Sequence, residues 1–223
     1  MSAIMSSRWH HLFKKIRSTI ENDPVPYVTR LSRQHEKKSN LPFIILVSTI
    51  ISLRTKDAVT EAASERLFKA ADTPFKMTVL STDKIAKLIY PAGFYRVKAK
   101  QIFECSKIIL EKYNGKTPNQ IDQLTEMPGV GRKTANLVLT EGYDLDGICV
   151  DVHVHRILNR LGIINTMTPD ETEIRLRENL PKKFWKKINF WLVTFGQYHC
   201  KPVKPECSKC LLKKECPSAK SQS

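Results

Sequence analysis

One lysine in this 223-residue sequence lies where a reactive amine could do chemistry. Lys133 follows the stretch MPGVGR, residues 127–132, and precedes the largely apolar run TANLVL. An ε-amine in this position can bind a phosphate, remain in solvent or attack an electrophilic carbon. The elements around the lysine, and partner residues elsewhere in the chain, have to distinguish these three roles.

The residues around Lys133 predict two short helices, 119–126 and 132–142, joined by a tight turn. Pro128 in the turn fixes one φ angle, and its two glycines permit positive φ and close backbone approach. Such a hairpin begins its second helix with unpaired amide groups and a positive dipole end, which suit a DNA phosphate. The DNA-contacting residues predicted here are Gly129, Val130, Gly131, Arg132 and Thr134.

A nucleotide-binding loop is the alternative for GVGRKT. That motif, G-x-x-x-x-G-K-[ST], needs an earlier glycine, has lysine directly after the last glycine and follows a strand. Here Arg132 separates Gly131 from Lys133, the first glycine is missing and no strand precedes the segment. A hairpin that binds the DNA backbone is therefore the preferred interpretation.

Four cysteines near the C-terminus have the spacing C-x6-C-x2-C-x5-C: Cys200, Cys207, Cys210 and Cys216. Zinc sites usually combine two close pairs, whereas this array has only one close pair and a proline directly after its last cysteine. The spacing favours a 4Fe–4S cluster over zinc. Two further cysteines, Cys105 and Cys149, lie in apolar segments and are interpreted as small core residues.

A third pattern is the D-x-H-x-H of Asp151, His153 and His155. Amidohydrolases carry a similar pattern on a barrel strand, but a barrel needs about 250 residues and too little chain follows Asp151. The segment continues into RILNRLG, so Asp151 is predicted to cap or begin a helix over 150–162.

Composition agrees with a helical protein that binds a polyanion. The chain has 37 Lys and Arg against 22 Asp and Glu, a formal net charge of +15, and nucleic acid is the usual partner of so basic a protein. A generic basic surface is the alternative. Helical periodicity predicts further helices over 8–22, 57–71, 95–115 and 171–180, a buried core helix over 42–53, and an N-cap at Thr55 or Asp57.

Taken together, these segments resemble a known family. LTEMPGVGRKTANLVL, ICVDVHVHR and the four-cysteine array closely resemble the endonuclease III family of helix-hairpin-helix DNA glycosylases. ISLRTKDAVTEAASERLF, PAGFYRVKAKQI and FWLVTFGQYHCKP resemble further segments of the same family, so that the resemblance covers residues 9–217.

The resemblance implies an all-α fold of two helical domains. One would be a six-helix domain with the hairpin, residues 35–145, and the other an iron–sulfur domain, residues 1–34 plus 146–223, with a C-terminal cluster loop. A DNA cleft would lie between the domains, and a damaged base would be flipped into it.

The resemblance also assigns catalytic roles. Lys133 would attack C1′ of the flipped nucleotide, the base would leave, and β-elimination from the Schiff base would cut the strand. Asp151 would accept a proton or stabilise the oxocarbenium-like sugar, and the residues leave these two roles open. The protein is therefore expected to be a bifunctional DNA glycosylase and AP lyase that removes damaged, oxidised pyrimidines.

Two positions, one of which departs from the family pattern, bear on the substrate. Arg54 stands where family members that excise oxidised pyrimidines usually carry Gln, and it would contact base acceptors or phosphate. Phe94 matches a position that fills the gap left by the flipped base, with ordinary core packing as the alternative. A glycosylase for mismatched thymine or uracil, or for pyrimidine dimers, is therefore the second enzymatic hypothesis.

A non-catalytic DNA-binding iron–sulfur module is the alternative outside enzymes, and the presence of both Lys133 and Asp151 disfavours it. Lysines around the cysteines, including Lys204, are expected to face DNA phosphates. The expected partner is duplex DNA with damaged bases or abasic sites, bound by a monomer without a membrane segment. The expected localisation is cytoplasmic and nucleoid-associated in a prokaryote, or nuclear or organellar in a eukaryote.

Overall fold

The structure is a computed structural model that describes residues 3–35 and 39–220, without the side chains of 3–6 and 220. Every regular element within these ranges is helical, which confirms the all-α prediction. The α-helices are α1 Ala3–Thr19, α2 Tyr27–Gln34, α3 Leu41–Ser52, α4 Asp57–Ala70, α5 Pro74–Val79, α6 Thr82–Ile89, α7 Tyr95–Tyr113, α8 Ile121–Thr125, α9 Arg132–Leu137, α10 Val152–Arg160, α11 Pro169–Asn179, α12 Trp185–Tyr198 and α13 Pro217–Lys220.

The chain divides into two compact units. Residues Tyr27–Gly147, here called the hairpin unit, form one, and residues Met1–Pro26 with Ile148–Ser223, here called the cysteine unit, form the other. The first boundary lies at residue 26, whereas the sequence predicted it at residue 34. The difference is α2, whose apolar face (Tyr27, Val28, Leu31) belongs to the core of the hairpin unit.

Helix α3 is the centre of the hairpin unit. Every residue from Leu41 to Ile51 is buried, as the apolar run predicted. The helix packs against α2, α4, α7 and α9 and against a π-helical turn, Val138–Gly142, that continues α9. At Gly142 a Cβ atom would lie 2.9 Å from the Cα of Pro42, so the end of this turn can approach the start of α3 only without a side chain.

The predicted cap of α4 is wrong. The N-cap residue is Lys56, whose side chain makes no capping hydrogen bond, and Asp57 is the first helical residue. The Thr55 hydroxyl is instead used by other partners, accepting from the Gly93 amide at 3.1 Å. The predicted end of α7 is confirmed, since Asn114 and Gly115 have φ angles of 51° and 77° and the Gly115 amide donates to Ile109 O at 2.9 Å.

The cysteine unit is built on α1, α10 and α12. The side chains of Phe13, Phe184 and Trp191 meet in its core, with ring centroids 4.8–6.1 Å apart. Within the described residues, we found no helix with the length and apolar character that a bilayer crossing requires.

Candidate functional site

The hairpin turn joins α8 to α9 through Met127–Gly131. Gly129 has φ +78°, and a Cβ there would lie 2.5 Å from the Gln101 side chain on α7. Gly131 does not use the positive φ that a glycine permits: as the N-cap of α9 its φ is −94° and its ψ is 179°, values open to any residue. A Cβ at Gly131 would meet nothing within 4 Å, so the space beside the start of α9 is open.

Lys133 is the second residue of α9 and is half-buried. The next residue, Thr134, is 2% exposed and Val130 before the helix is 5% exposed. Their side chains therefore pack inward, and a ligand can meet these two positions only through the backbone. The Val130 amide itself donates to Met127 O at 3.1 Å, so it is used within the turn.

Arg54 and Phe94 lie together on the hairpin unit. The Arg54 guanidinium stands over the Phe94 ring, 5.7 Å from its centroid. Phe94 is 62% exposed, so core packing does not account for it. Both residues have left-handed backbone, with φ of 52° and 57°, a conformation that side-chain-bearing residues rarely adopt. The two loops touch, since a Cβ at Gly93 would lie 2.7 Å from Arg54 O.

Sequence reasoning missed Lys98, which is 4% exposed. It lies on α7 in line with the buried residues Ile102, Cys105 and Ile109, a spacing that marks one helical face. The signal in the sequence was that Lys98 occupies a position on this face where the helical periodicity predicts an apolar residue. Burial lowers the pKa of Lys98 to about 8. Cys105 on the same face is fully buried, which confirms it as a core residue, and burial raises the pKa of its thiol to about 12.

Asp151 is the N-cap of α10, as predicted, and is 7% exposed. Its Oδ1 atom accepts hydrogen bonds from the amides of His153 at 2.9 Å and Val154 at 3.0 Å. These two bonds fix the orientation of the carboxylate at the start of the helix. Cys149, two residues earlier, is buried, which confirms its interpretation as a core residue.

The two histidines after Asp151 have separate structural contacts. His153 packs where Gly196 of α12 leaves room, since a Cβ there would lie 2.5 Å from its Nδ1 atom. His155 Nδ1 is 2.8 Å from Thr172 Oγ1. Across the described residues, no group of three or more His, Cys, Asp or Glu side chains is placed to hold a metal ion directly.

The four C-terminal cysteines line one cavity of the cysteine unit. The cavity measures about 40 Å³ and is otherwise lined largely by apolar side chains of α10, α12 and the C-terminal segment. None of these four cysteines forms a disulfide. The Leu212 amide donates to Cys210 Sγ at 3.4 Å, and the Arg160 guanidinium donates to Cys200 Sγ at 3.5 Å. Donors of this kind suit sulfur atoms that carry negative charge.

The segment that carries the last four cysteines also carries several lysines. Lys204 is exposed and has left-handed backbone, with φ 52°. Lys201 is engaged in an ion pair with Glu206 at 2.9 Å. The remaining lysines of this segment are exposed: Lys209, Lys213 and Lys214.

The predicted site residues thus fall into two groups. Lys133, Arg54 and Phe94 belong to the hairpin unit, whereas Asp151, Lys204 and the cysteines belong to the cysteine unit. Residues 47–182 match the family model described as HhH-GPD superfamily base excision DNA repair protein. The chain is also 45% identical to endonuclease III of Thermotoga maritima over 189 residues, which cover 85% of this chain and 88% of that protein.

The chain belongs to the endonuclease III family. Endonuclease III homolog 2, chloroplastic, of Arabidopsis thaliana is 44% identical over 186 residues. That match covers 79% of this chain and 48% of the plant protein, so the chain spans about half the length of this relative. A solved structure of a trapped covalent endonuclease III–DNA intermediate superposes with a TM-score of 0.85 at 29% identity, covering 97% of this chain and 98% of that one. Fold and sequence therefore agree on the endonuclease III family.

Proposed function

We propose that this base excision DNA glycosylase and AP lyase removes damaged pyrimidines, chiefly oxidised ones, from duplex DNA. The observation that carries the proposal is Lys133 in the first turn of the second hairpin helix of an endonuclease III family chain. A formal net charge of +15 supports duplex DNA as the partner.

In the proposed reaction, the Lys133 amine attacks C1′ of a flipped nucleotide. The glycosidic bond breaks and the base leaves with its electron pair and takes up a proton. Loss of an amine proton and opening of the sugar give a Schiff base between Lys133 and C1′. Removal of a C2′ proton then expels the 3′ phosphate, which is β-elimination and cuts the strand.

Asp151 serves the base-release step of this reaction. Its carboxylate either accepts the proton of the attacking amine or stabilises positive charge on the sugar as the base departs. The capping bonds from His153 and Val154 support either role, because they hold the carboxylate in one orientation before substrate arrives.

Borohydride trapping on DNA with an abasic site tests the nucleophile. Borohydride reduces a Schiff base to a stable amine, so the wild type should form a covalent protein–DNA adduct. Lys133→Gln removes the amine with little change in helix propensity and should bind the DNA but form no adduct.

The matched control for this test is Lys107→Gln. Lys107 is an exposed lysine on α7 that pairs with Glu111 at 3.9 Å, so its variant removes the same charge and should give wild-type trapping. Full trapping by Lys133→Gln would place the nucleophile elsewhere and leave Lys133 as a phosphate ligand.

A substrate panel separates the two enzymatic hypotheses. Duplexes carrying thymine glycol, dihydrouracil, an abasic site, or uracil or thymine opposite guanine would be compared under single-turnover conditions. Arg54 is the residue that motivates the panel, since it departs from the usual Gln and is exposed beside Phe94. The proposal expects the oxidised pyrimidines to be released fastest, and faster release from the mismatches would favour the second hypothesis.

Four cysteines around one cavity also support a bound 4Fe–4S cluster, held by Cys200, Cys207, Cys210 and Cys216. The spacing of the four cysteines, with one close pair and a proline directly after the last cysteine, favours this cluster over a single zinc ion. Bound in this cavity, the cluster would tie the C-terminal segment to α10 and α12.

Iron and sulfide analysis of the purified protein tests this cofactor. We expect about four of each per chain and a yellow-brown colour. Cys207→Ser should lower the iron content and the soluble yield, because metal binding contributes to folding. A colourless protein with one zinc per chain would contradict the cluster and leave the glycosylase proposal untouched.

A further inference from the structure

The Lys98 side chain connects α7 to the C-terminal end of α3 and to the loop that follows α3. From its buried position on α7, its Nζ atom donates to Ile51 O at 2.7 Å, Leu53 O at 2.5 Å and Thr55 Oγ1 at 2.9 Å. An ammonium group has three N–H donors, and all three are used. None of these partners is a carboxylate, so the ammonium is held by backbone and hydroxyl oxygens.

These bonds complete the C-terminal end of α3. The last four carbonyl groups of an α-helix have no partner within the helix. In α3 each of these four carbonyl groups accepts a hydrogen bond. Thr49 O accepts from Ser52 Oγ at 2.8 Å, and Ile50 O accepts from the Leu53 amide at 3.3 Å. Ile51 O accepts from Lys98, and Ser52 O accepts from the Thr55 amide at 3.0 Å. A positive charge at this end also suits the helix dipole. Lys98 therefore sets the direction in which the chain leaves α3.

The Thr55 hydroxyl extends the connection to the second loop. It accepts from Lys98 Nζ and from the Gly93 amide at 3.1 Å, and it lies 3.3 Å from Leu53 O, to which it donates. A hydroxyl has one donor and two acceptor sites, so this one is fully occupied. Gly93 directly precedes Phe94, and Arg54 lies between the two residues that Lys98 contacts after α3.

The two loops held in this way carry Arg54 and Phe94. Both residues have positive φ, a strained conformation for residues with side chains that persists only when the surroundings enforce it. In the hairpin unit the buried ammonium of Lys98 and the Thr55 hydroxyl join the two loops by hydrogen bonds, in addition to the close approach of Gly93 to Arg54 O. Without them, the ring of Phe94 and the guanidinium of Arg54 lose the backbone that presents them together.

We infer that Lys98 is a positioning residue for substrate discrimination, which fixes Arg54 and Phe94 against each other without contacting DNA itself. This inference rests on the proposed function, because it assigns the two exposed side chains to the damaged-base step. Lys98 then controls base release more than strand cleavage at an abasic site, where no base has to be extruded.

The test compares Lys98→Met with Lys107→Met. Methionine keeps the length and apolar stem of Lys98 and removes the three donors, while the exposed Lys107 on the same helix provides the same charge change away from the loops. We expect Lys98→Met to lower single-turnover release of thymine glycol about tenfold. Cleavage of a preformed abasic site and the Kd for undamaged duplex should stay within about twofold, and Lys107→Met should match the wild type in all three.

A double-mutant cycle with Phe94→Ala supplies a measurement that general destabilisation would not reproduce. Phe94→Ala removes the ring through which Lys98 is inferred to act. In that background, Lys98→Met should slow base release less than about twofold further. A second full tenfold loss, or a parallel loss of abasic-site cleavage, would overturn the inference.

Thr55→Val keeps the test decisive if Lys98→Met does not fold. Valine has nearly the same shape and lacks the hydroxyl that joins Lys98 to Gly93, while the Lys98 bonds to Ile51 O and Leu53 O remain. Base release should fall about threefold with abasic-site cleavage preserved, and unchanged base release would contradict the inference. If the wild type itself neither releases a base nor cleaves abasic sites, the proposed function fails and not the role of Lys98 alone.

Discussion

At the residue scale, Asp151 combines a structural and a chemical role. As the N-cap of α10 it satisfies two backbone amides, and the proposed reaction uses the same carboxylate at the sugar. The two roles can be separated by substitution, because Asn and Asp are equally good N-caps whereas only Asp carries a negative charge.

Asp151→Asn should therefore keep the fold and lose base release. A neutral amide neither accepts the proton nor stabilises a sugar cation, so single-turnover base release should fall by about 10²-fold or more. Its free energy of unfolding should stay close to that of the wild type, whereas Asp151→Ala should lose about 1 kcal/mol of stability as well.

Cleavage of a preformed abasic site provides the internal control for Asp151→Asn. It should decline much less, because no base has to leave. Equal losses in both steps would show that Asp151 acts on the lyase step as well.

At the element scale, one face of α7 supports the proposed DNA-contacting segments of the hairpin unit. Lys98 holds the loops of Arg54 and Phe94, and Gln101 lies against Gly129 of the hairpin turn. Cys105, one turn further, has its thiol 3.4 Å from Pro128 O. These three residues recur at helical spacing, so a single straight element sets the positions of both segments.

The buried Lys98 should make stability depend on pH. Its pKa is about 8 in the folded protein, against 10.5 for an ordinary lysine. The unfolded chain therefore binds more protons between these two values, and the free energy of unfolding should rise as pH increases from about 8 towards 10.5. This gain in the free energy of unfolding is fully present above pH 10.5, is lost as pH falls to 8, and amounts to about 3 kcal/mol at most.

Urea unfolding of the wild type and Lys98→Met at pH 7, 8, 9 and 10 measures this dependence. The difference in unfolding free energy between the two proteins isolates Lys98 from the tyrosines and cysteines that titrate in the same range. We expect the difference to shift in favour of the wild type above pH 8. A constant difference would mean that Lys98 has an ordinary pKa.

At the scale of the whole molecule, positive charge is the feature that should govern binding to DNA. The formal net charge of +15 is shared by both units, with Arg132 and Lys133 on the hairpin and Lys204, Lys209 and Lys213 beside the cysteine loop. Contacts of this kind bind DNA phosphates irrespective of sequence and release counterions.

Binding to undamaged duplex should therefore weaken steeply as salt is raised. Log affinity should fall linearly with log salt concentration, with a slope of about −0.9 for each phosphate contact. Fluorescence anisotropy between 50 and 300 mM salt measures the slope. Lys204→Gln should reduce its magnitude by about one contact if Lys204 meets a phosphate, and an unchanged slope would remove it from the interface.

Much of the fold could be predicted because the determining signals are local in the sequence. The apolar run of α3, the Asn114–Gly115 end of α7 and the Asp151 cap of α10 each depend on neighbouring residues, and the structure has all three. The short helices α5 and α6 were missed, although Thr73 before Pro74 and Ser81 before Thr82 are local caps that marked them.

The sequence by itself determined which residues can do chemistry: a lysine after a glycine turn, an aspartate at a helix start and four cysteines at fixed spacing. Only the tertiary structure decided where Thr55 directs its hydroxyl, that Phe94 is exposed and that Lys98 is a buried cap of α3. Each of these depends on contacts between segments about 40 residues apart. Helical periodicity reports which face of a helix is buried, but not which distant carbonyl or hydroxyl a buried polar atom will meet there, because that partner is chosen by packing.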